Sequence, residues 1–417
     1  MMARACGVDF GTSNSTVGWC RPGHPSLLPL EEGKTTLPSA VFFNAEEDRW
    51  SFGRGALADY LAGHEGRLMR SLKSLLGTSL LDGQTEVQGR AIPFRQLLAQ
   101  FIGELKRRAE QAAGRSFEHA VFGRPVHFID DDLKADQQAE ASLLQIAQAA
   151  GFREVAFQYE PIAAAFDYES EIEREQLVLI ADIGGGTSDF SLVRLSPQRA
   201  QKADRRDDIL ATAGVHIGGT DFDKYLSLSS VMPRLGMGSR LASDAEMPSS
   251  HYFNLATWHT INLAYTRKAW EELQDLRRDA RERDKLDRLL QLVQQRDGHW
   301  LALKVEEGKI ALSEATVTAL QLERLPPPQT VLVEREHFDA AITHLVMAIE
   351  AAVGELLRNA AVPAEAVDTV FFTGGSSGVH MLRKRIASLL PDAQRVEGDL
   401  FGSIGAGLAL DAQRRFG

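Results

Sequence analysis

Residues 177–191 read LVLIADIGGGTSDFS, and residues 6–19 read CGVDFGTSNSTVGW. Each is an apolar run ending in an aspartate, one further residue, a glycine turn with small hydroxyl side chains, and a second run of strand character. The alignment pairs Asp9 with Asp182 and Gly11 with Gly184. Both read as strand, turn, strand. A repeat of this kind predicts two similar halves, each offering one acidic strand end and one glycine turn. A third turn, Gly374-Gly-Ser-Ser, follows Val370-Phe-Phe-Thr373.

The chemistry of the turns follows from their residue types. Glycine lets a backbone approach a phosphate closely, and the amide hydrogens of such a turn bind oxyanions. None of the three carries the Gly-Lys-Ser/Thr of a P-loop, and none is the GxGxxG of a dinucleotide fold. Phosphates are therefore expected between two hairpin turns from opposite halves. Two acidic strand ends facing one phosphate chain repel it, and a magnesium ion resolves the conflict, because carboxylates hold it through its hydration shell. The metal then neutralises developing charge and positions water. The plainer reading of Asp9 and Asp182 is turn-capping; their occurrence as a matched pair favours the metal.

Working outward, 417 residues are too many for one ordinary core, so two lobes or more are expected. The chain is 44% hydrophobic and 25% charged, as globular proteins are. A net charge of −11 argues against nucleic acid and against anionic membranes as partners. Two cysteines, Cys6 and Cys20, make neither a disulfide framework nor a zinc site. A hairpin over residues 6–20 could make them cross-strand neighbours, but a reduced, cytoplasmic setting is expected. The N-terminal residues show no signal-peptide pattern, and no apolar run nears the ~20 residues that span a bilayer.

Helices are expected over residues 57–76, 94–113, 130–150 (stopped by Gly151), 162–168, 338–360, 381–390 and 402–415, with a buried strand at 119–126. Residues 220–320 read as largely helical. Within them the charged segment 271–297 is a long surface helix or a helical hairpin with a solvated face. The prolines 326–328 turn the chain inside a domain.

With these residues in view the chain resembles the DnaK-type heat-shock chaperones of the actin-like ATPase superfamily. DFGTSNS (9–15), DIGGGTSDFS (182–191) and TGGSSGVHMLRKRI (373–386) resemble that family's two phosphate signatures and its adenosine signature. QYEPIAAAFDY (158–168) and AGVHIGGTDFD (213–223) resemble two further family stretches, and all five stand in family order. The resemblance implies an α/β, two-lobed actin-like ATPase fold of duplicated ribonuclease-H-like domains. Lobe I would be residues 1–176 with a subdomain inserted at about 41–115. Lobe II would be 177–395 with one at about 220–337, and 396–417 would be a helix returning to lobe I.

Carried over residue by residue, the resemblance gives Gly11, Thr12, Ser13 and Asn14 to the phosphates in lobe I, and Gly184, Gly185, Gly186 and Thr187 in lobe II. Asp9, Asp182 and Asp189 would organise magnesium, mostly through water. Glu160 would orient water or metal, and Lys73 would reach the γ-phosphate. Glu306, Lys309 and Ser313, spaced to share one helix face, would bind the ribose. Gly218, Gly219, Gly374, Gly375, Ser376 and Asp399 would line the adenosine side. Two positions depart: the adenine-clamping arginines of the family correspond to Ile310 and Gly378. The chain closes with one helix after the third signature, as in the shorter YegD-like branch without a peptide-binding domain.

The expected function is thus a slowly hydrolysing, chaperone-like ATPase that binds ATP or ADP with magnesium and switches conformation for an unidentified protein partner or client. The expected state is a monomer. The alternatives are a small-molecule kinase of the same superfamily and a non-hydrolysing nucleotide-sensing module.

Overall fold

The apolar run before Asp9 forms strand β1 (Ala5–Phe10), buried along its whole length. β2 (Asn14–Gly18) folds back on it antiparallel, with Asp9 opposite Thr16. β3 (Thr36–Pro38) pairs with the far edge of β2. On its other side β1 runs parallel to β4 (His119–Arg124), and β4 parallel to β5 (Glu154–Tyr159). The order is β5-β4-β1-β2-β3. The second sheet repeats the plan. β6 (Gln176–Ile183) pairs antiparallel with β7 (Ser188–Leu195), Asp182 opposite Asp189. β8 (Ile209–Val215) lies beyond β7, β9 (Thr369–Thr373) runs parallel to β6, and β10 (Gln394–Glu397) parallel to β9. Parallel neighbours need crossover connections. The helices Leu133–Ala149 and His380–Leu389 supply equivalent ones in the two sheets. These coordinates are a computed structural model that describes residues 4–24, 26–87, 89–129, 132–202, 204–399 and 402–417.

Packing divides the chain into two units. The first is Met1–Gly214, Val353–Ser377 and Ala387–Gly417, and holds both five-stranded sheets. One buried cluster takes Ala5 and Val121 from the first sheet, Val178, Ile180 and Phe371 from the second, and Ile162 and Leu408 from two helices, Glu160–Ala164 and Ser403–Phe416. Those helices cross so closely that a Cβ on Gly407 would lie 1.9 Å from the Ala163 carbonyl oxygen, a contact that only glycine permits. The sequence division after residue 176 falls inside this unit. The helix Phe94–Ala113 forms as expected, with Leu97, Leu98, Phe101, Ile102 and Leu105 facing the core.

Two expected helices need correction. The helix expected over 57–76 is only Arg54–Leu61. It ends at Ala62 and Gly63, and Gly66–Arg70 is instead a strand, antiparallel to the buried strand Ala40–Asn44. Tertiary pairing with a buried Val-Phe-Phe run outweighs the helical propensity of the segment. A single turn, Leu72–Leu75, follows and carries Lys73. The helix over 162–168 is broken at Ala165 into Glu160–Ala164 and Phe166–Glu171. The helix expected from residue 130 is described from Leu133, and residues 130 and 131 lie outside the described residues.

The second unit is Val215–Ala352 with Gly378–Ile386. The charged segment 271–297 is the hairpin of the two expected forms, Arg267–Asp279 and Arg283–Gln294, with Leu273, Leu286, Leu289, Leu292 and Val293 buried. The prolines 326–328 connect the antiparallel strands Val317–Leu322 and Gln329–Glu334.

One helix among the described residues, Arg335–Asn359, is long and apolar enough by length and composition to cross a membrane, which corrects the expectation that nothing here reaches that length. Its buried Phe338, Ile342, Val346, Ile349, Val353 and Leu356 recur at three- and four-residue spacing, the one-sided pattern of a core helix. Cys6 and Cys20 are not joined in a disulfide, and burial pushes the Cys6 pKa up.

Candidate functional site

In the first unit the two repeated turns meet. Each caps a hairpin at the acidic end of its central strand, so the strand register brings Asp9 and Asp182 to equivalent places. The Gly184 N–H donates to the Thr187 carbonyl at 2.9 Å and closes the second turn tightly. Ser13 of the first turn lies against Gly185 of the second: a Cβ there would be 2.0 Å from the Ser13 Oγ. The absence of a side chain at residue 185 is what lets the turns approach. Thr12 and Asn14 are half-buried beside Ser13.

The third turn docks on the second. Gly374 has a φ of +83°, and a Cβ on it would fall 2.4 Å from Asp182 Oδ1. The Ser376 N–H donates to the Ile183 carbonyl at 2.9 Å. Gly375 is exposed and Ser376 buried. On the other flank the Thr187 hydroxyl donates to Asp189 Oδ2 at 2.8 Å.

Charge is concentrated between the turns. The Lys73 Nζ donates to Glu160 Oε1 at 2.6 Å, with both side chains about seven-eighths buried (12% and 13% exposed). Burial works to lower the Lys73 pKa, but Glu160 and Asp9 outweigh it and hold the ammonium above its ordinary value. Burial raises Asp9 to about 7, and the Glu160 charge adds to the rise while Lys73 opposes it. Burial raises Asp182 to about 8, with Asp189, Glu160 and Asp9 adding and Lys73 opposing. One lysine thus faces a set of carboxylates that it cannot neutralise.

A residue the sequence reading missed supports the first turn. The Ser39 hydroxyl donates to the Gly11 carbonyl at 2.6 Å, and its N–H donates to the Ser13 carbonyl at 2.9 Å. Ser15 Oγ lies 3.0 Å from the same hydroxyl. Nothing local in Thr36-Leu-Pro-Ser39 announces this; it depends on β3 pairing with β2.

The second unit gathers another part of the predicted set. Gly218 caps the helix Gly219–Leu226, its N–H donating to Asp221 at 3.0 Å. Lys309, on the helix Gly298–Glu314, is buried and donates to Asp223 at 2.9 Å and to the Gly219 carbonyl at 3.2 Å. Glu306 and Ser313 are half-buried one turn to either side, and Ile310 is 55% exposed. Asp399 follows Gly398, whose N–H donates to the Phe372 carbonyl at 3.0 Å, two residues before the third turn. With Leu27, Tyr168, Phe371, Glu397 and Gly402 it lines a cavity of about 530 Å³ in the first unit, to which none of the turns contributes.

The model of the family described as Hsp70 protein matches residues 5–95, 82–231 and 277–409. The chain belongs to the Hsp70 family. The matched residues include all three turns, Lys73, Glu160, Lys309 and Asp399. Hsp70 proteins are nucleotide-binding, chaperone-type ATPases with the two-lobed actin-like fold, and the paired five-stranded sheets are the repeated core of that fold here. The unmatched residues 232–276 fall in the second unit, where this Hsp70 protein has helices Ser250–Ala256 and Arg267–Asp279.

Proposed function

We propose that this Hsp70 protein binds magnesium-ATP between the turns at Ser13 and Gly185, hydrolyses it slowly, and presents the resulting change of conformation to a protein partner. The observation that carries the proposal is the pairing of Lys73 with Glu160 among buried carboxylates, Asp9 and Asp182, on the strands that lead into two touching turns.

The donor set fits a hydrated cation. Among the described residues no three carboxylate, imidazole or thiolate groups stand close enough to ligate one ion together, whereas magnesium keeps several waters and needs few direct protein ligands. Asp9, Asp182 and Asp189 would hold it, and it would supply charge neutralisation for the phosphates. Backbone amides of residues 11–14 and 184–187 bind phosphate oxygens. Lys73 leaves Glu160 for the γ-phosphate, and the freed Glu160 carboxylate orients a water. That water attacks the γ-phosphorus, the bond to the bridging oxygen breaks, and ADP and inorganic phosphate leave. The freed Glu160 carboxylate, which orients the water, also receives the proton that the water loses. In the second unit Glu306, Lys309 and Ser313 share one helix face, a donor set suited to a ribose. The chain acts as a monomer in the cytoplasm on a client or partner protein.

Calorimetric titration of magnesium-ATP and magnesium-ADP, with phosphate release assayed on the native chain and on Lys73→Ala and Asp182→Ala, tests the proposal. Binding with slow release that both substitutions abolish is the expected result. Binding without release makes the chain a nucleotide sensor, and release dependent on one added metabolite makes it a kinase. Binding of neither nucleotide overturns the proposal.

A further inference from the structure

The connection from the first sheet to the second is a helix in two pieces, and the pieces are held by different partners. At the break, Ala165 has φ −93° and ψ 0°, and its N–H donates to the Ile162 carbonyl at 3.2 Å, a tight turn in place of the regular helical bond. The first piece, Glu160–Ala164, is tied by Glu160 to Lys73 and packs against Gly123 of β4, whose Cβ, if present, would lie 3.1 Å from Glu160 Cγ.

The second piece, Phe166–Glu171, is tied to the second sheet and to the segment between β7 and β8. Glu169, 1% exposed, accepts from Arg205 Nη1 at 2.9 Å, from Arg205 Nη2 at 2.7 Å, and from the Ser196 N–H at 3.0 Å. The third guanidinium nitrogen of Arg205, Nε, donates to Asp208, which also accepts from Arg199. The Arg205 side chain is fully buried, and that of Asp208 is 1% exposed. Tyr168 adds hydrogen bonds to Gln176 of β6 (2.5 Å) and Thr369 of β9 (2.8 Å).

We propose that Arg205, Glu169 and Asp208 form a latch that makes Phe166–Glu171 part of the second sheet's rigid body, so that bending between the sheets is confined to Ala165. A buried, bidentate arginine–carboxylate pair fixes geometry more firmly than exposed contacts do. Contacts from exposed arginines run the other way: Arg206 to the Tyr159 hydroxyl (3.1 Å), Arg414 to the Ala200 carbonyl (3.0 Å), and the Arg414 guanidinium over the Phe166 ring (5.0 Å). Solvent-exposed polar contacts of that kind contribute little and yield first. The latch follows from the geometry alone; only its use during a nucleotide cycle rests on the function proposed above.

The test is peptide-resolved hydrogen exchange on the whole chain without nucleotide. Deleting one charge would strand the others in the interior, so the informative variant is Glu169→Gln with Arg205→Met and Asp208→Asn. Exchange over residues 166–171 should rise on the order of tenfold, while residues 160–164 and β6 keep native protection. Tyr168→Phe, which removes only the hydroxyl, should move the same segment by less and serves if the triple variant does not fold. Equal acceleration on both sides of Ala165, or none, overturns the latch. Repeating the native measurement with magnesium-ATP separates the two claims. A response at residues 184–187 with changes in the connecting helix centred on Ala165 supports the hinge. A response there with change spread evenly over 160–171 overturns it. No response at 184–187 counts against nucleotide binding and leaves the nucleotide-free comparison to decide the latch.

Discussion

Lys73 and Glu160 lie 87 residues apart in the chain and 2.6 Å apart in space, on a lone helical turn and on the first residue of the connecting helix. In the proposed reaction the γ-phosphate takes this lysine from Glu160. Lys73→Ala should therefore lower phosphate release on the order of 10²–10³-fold, the usual effect of removing one preorganised electrostatic group, with a smaller loss of ATP affinity. Glu160→Gln keeps a hydrogen-bond acceptor for Lys73 but weakens the orientation of water. It should reduce the rate of release while affinity stays near native. Single-turnover release beside equilibrium binding separates the two, and equal losses in both quantities for Glu160→Gln would assign it to binding instead.

The protonation of Asp9 and Asp182 sets a pH dependence whose sign can be worked out. Both pKa values are raised in the folded protein, to about 7 and about 8, so the native state binds more protons than the unfolded chain above the ordinary carboxylate range. Stability then falls as pH rises. Between pH 6.5 and 8.5 the carboxylates with lowered pKa, Glu31 and Asp287 among them, stay ionised and contribute no slope. Each raised group can remove up to about 1.4 kcal/mol per pH unit. The urea midpoint should drop across this window and drop less with magnesium present. A midpoint that rises with pH would mean that the two acids are already ionised.

The repeat around Asp9 and Asp182 was legible because strand period, aspartate and glycine turn are all local signals. So were the helices Phe94–Ala113 and Leu133–Ala149, whose apolar faces recur at helical spacing. What escaped was decided at a distance. Gly66–Arg70 has no strand signature of its own and takes strand form by pairing with Ala40–Asn44. Ser39 matters to the first turn only because β3 lies beside β2. The break at Ala165 depends on what holds each side of it, and Arg205 stands among the charged residues of 202–208, yet its side chain is wholly buried.

Gly185 is a position where steric demand can be separated from chemistry. A Cβ there meets the Ser13 Oγ at 2.0 Å and the Ser13 Cβ at 3.1 Å. Gly185→Ala should keep the fold, since Ser13 is a half-buried side chain that can move, but should part the turns and weaken ATP binding. Adding Ser13→Gly removes both colliding atoms and should recover part of the loss. A double-mutant cycle on affinity reads the coupling. Additive losses would mean that the contact between the turns does not set the phosphate site.

Ile310 tests the nucleoside side. It is 55% exposed on the helix Gly298–Glu314, next to buried Lys309 and on the face shared with Glu306 and Ser313. An aliphatic side chain there offers a base van der Waals contact but no guanidinium to stack on it. The native chain should consequently discriminate weakly between magnesium-ATP and magnesium-GTP. Ile310→Arg supplies a cation–π partner worth about 0.5–2 kcal/mol, which tightens purine binding by roughly 2- to 30-fold. The side chain projects into solvent, so the substitution should leave thermal stability within about 0.5 kcal/mol. Competition titrations with ATP, GTP and CTP on both proteins supply the check. A gain for the purines over CTP in Ile310→Arg places the base on this helix face, and equal affinities in the two proteins would move it elsewhere.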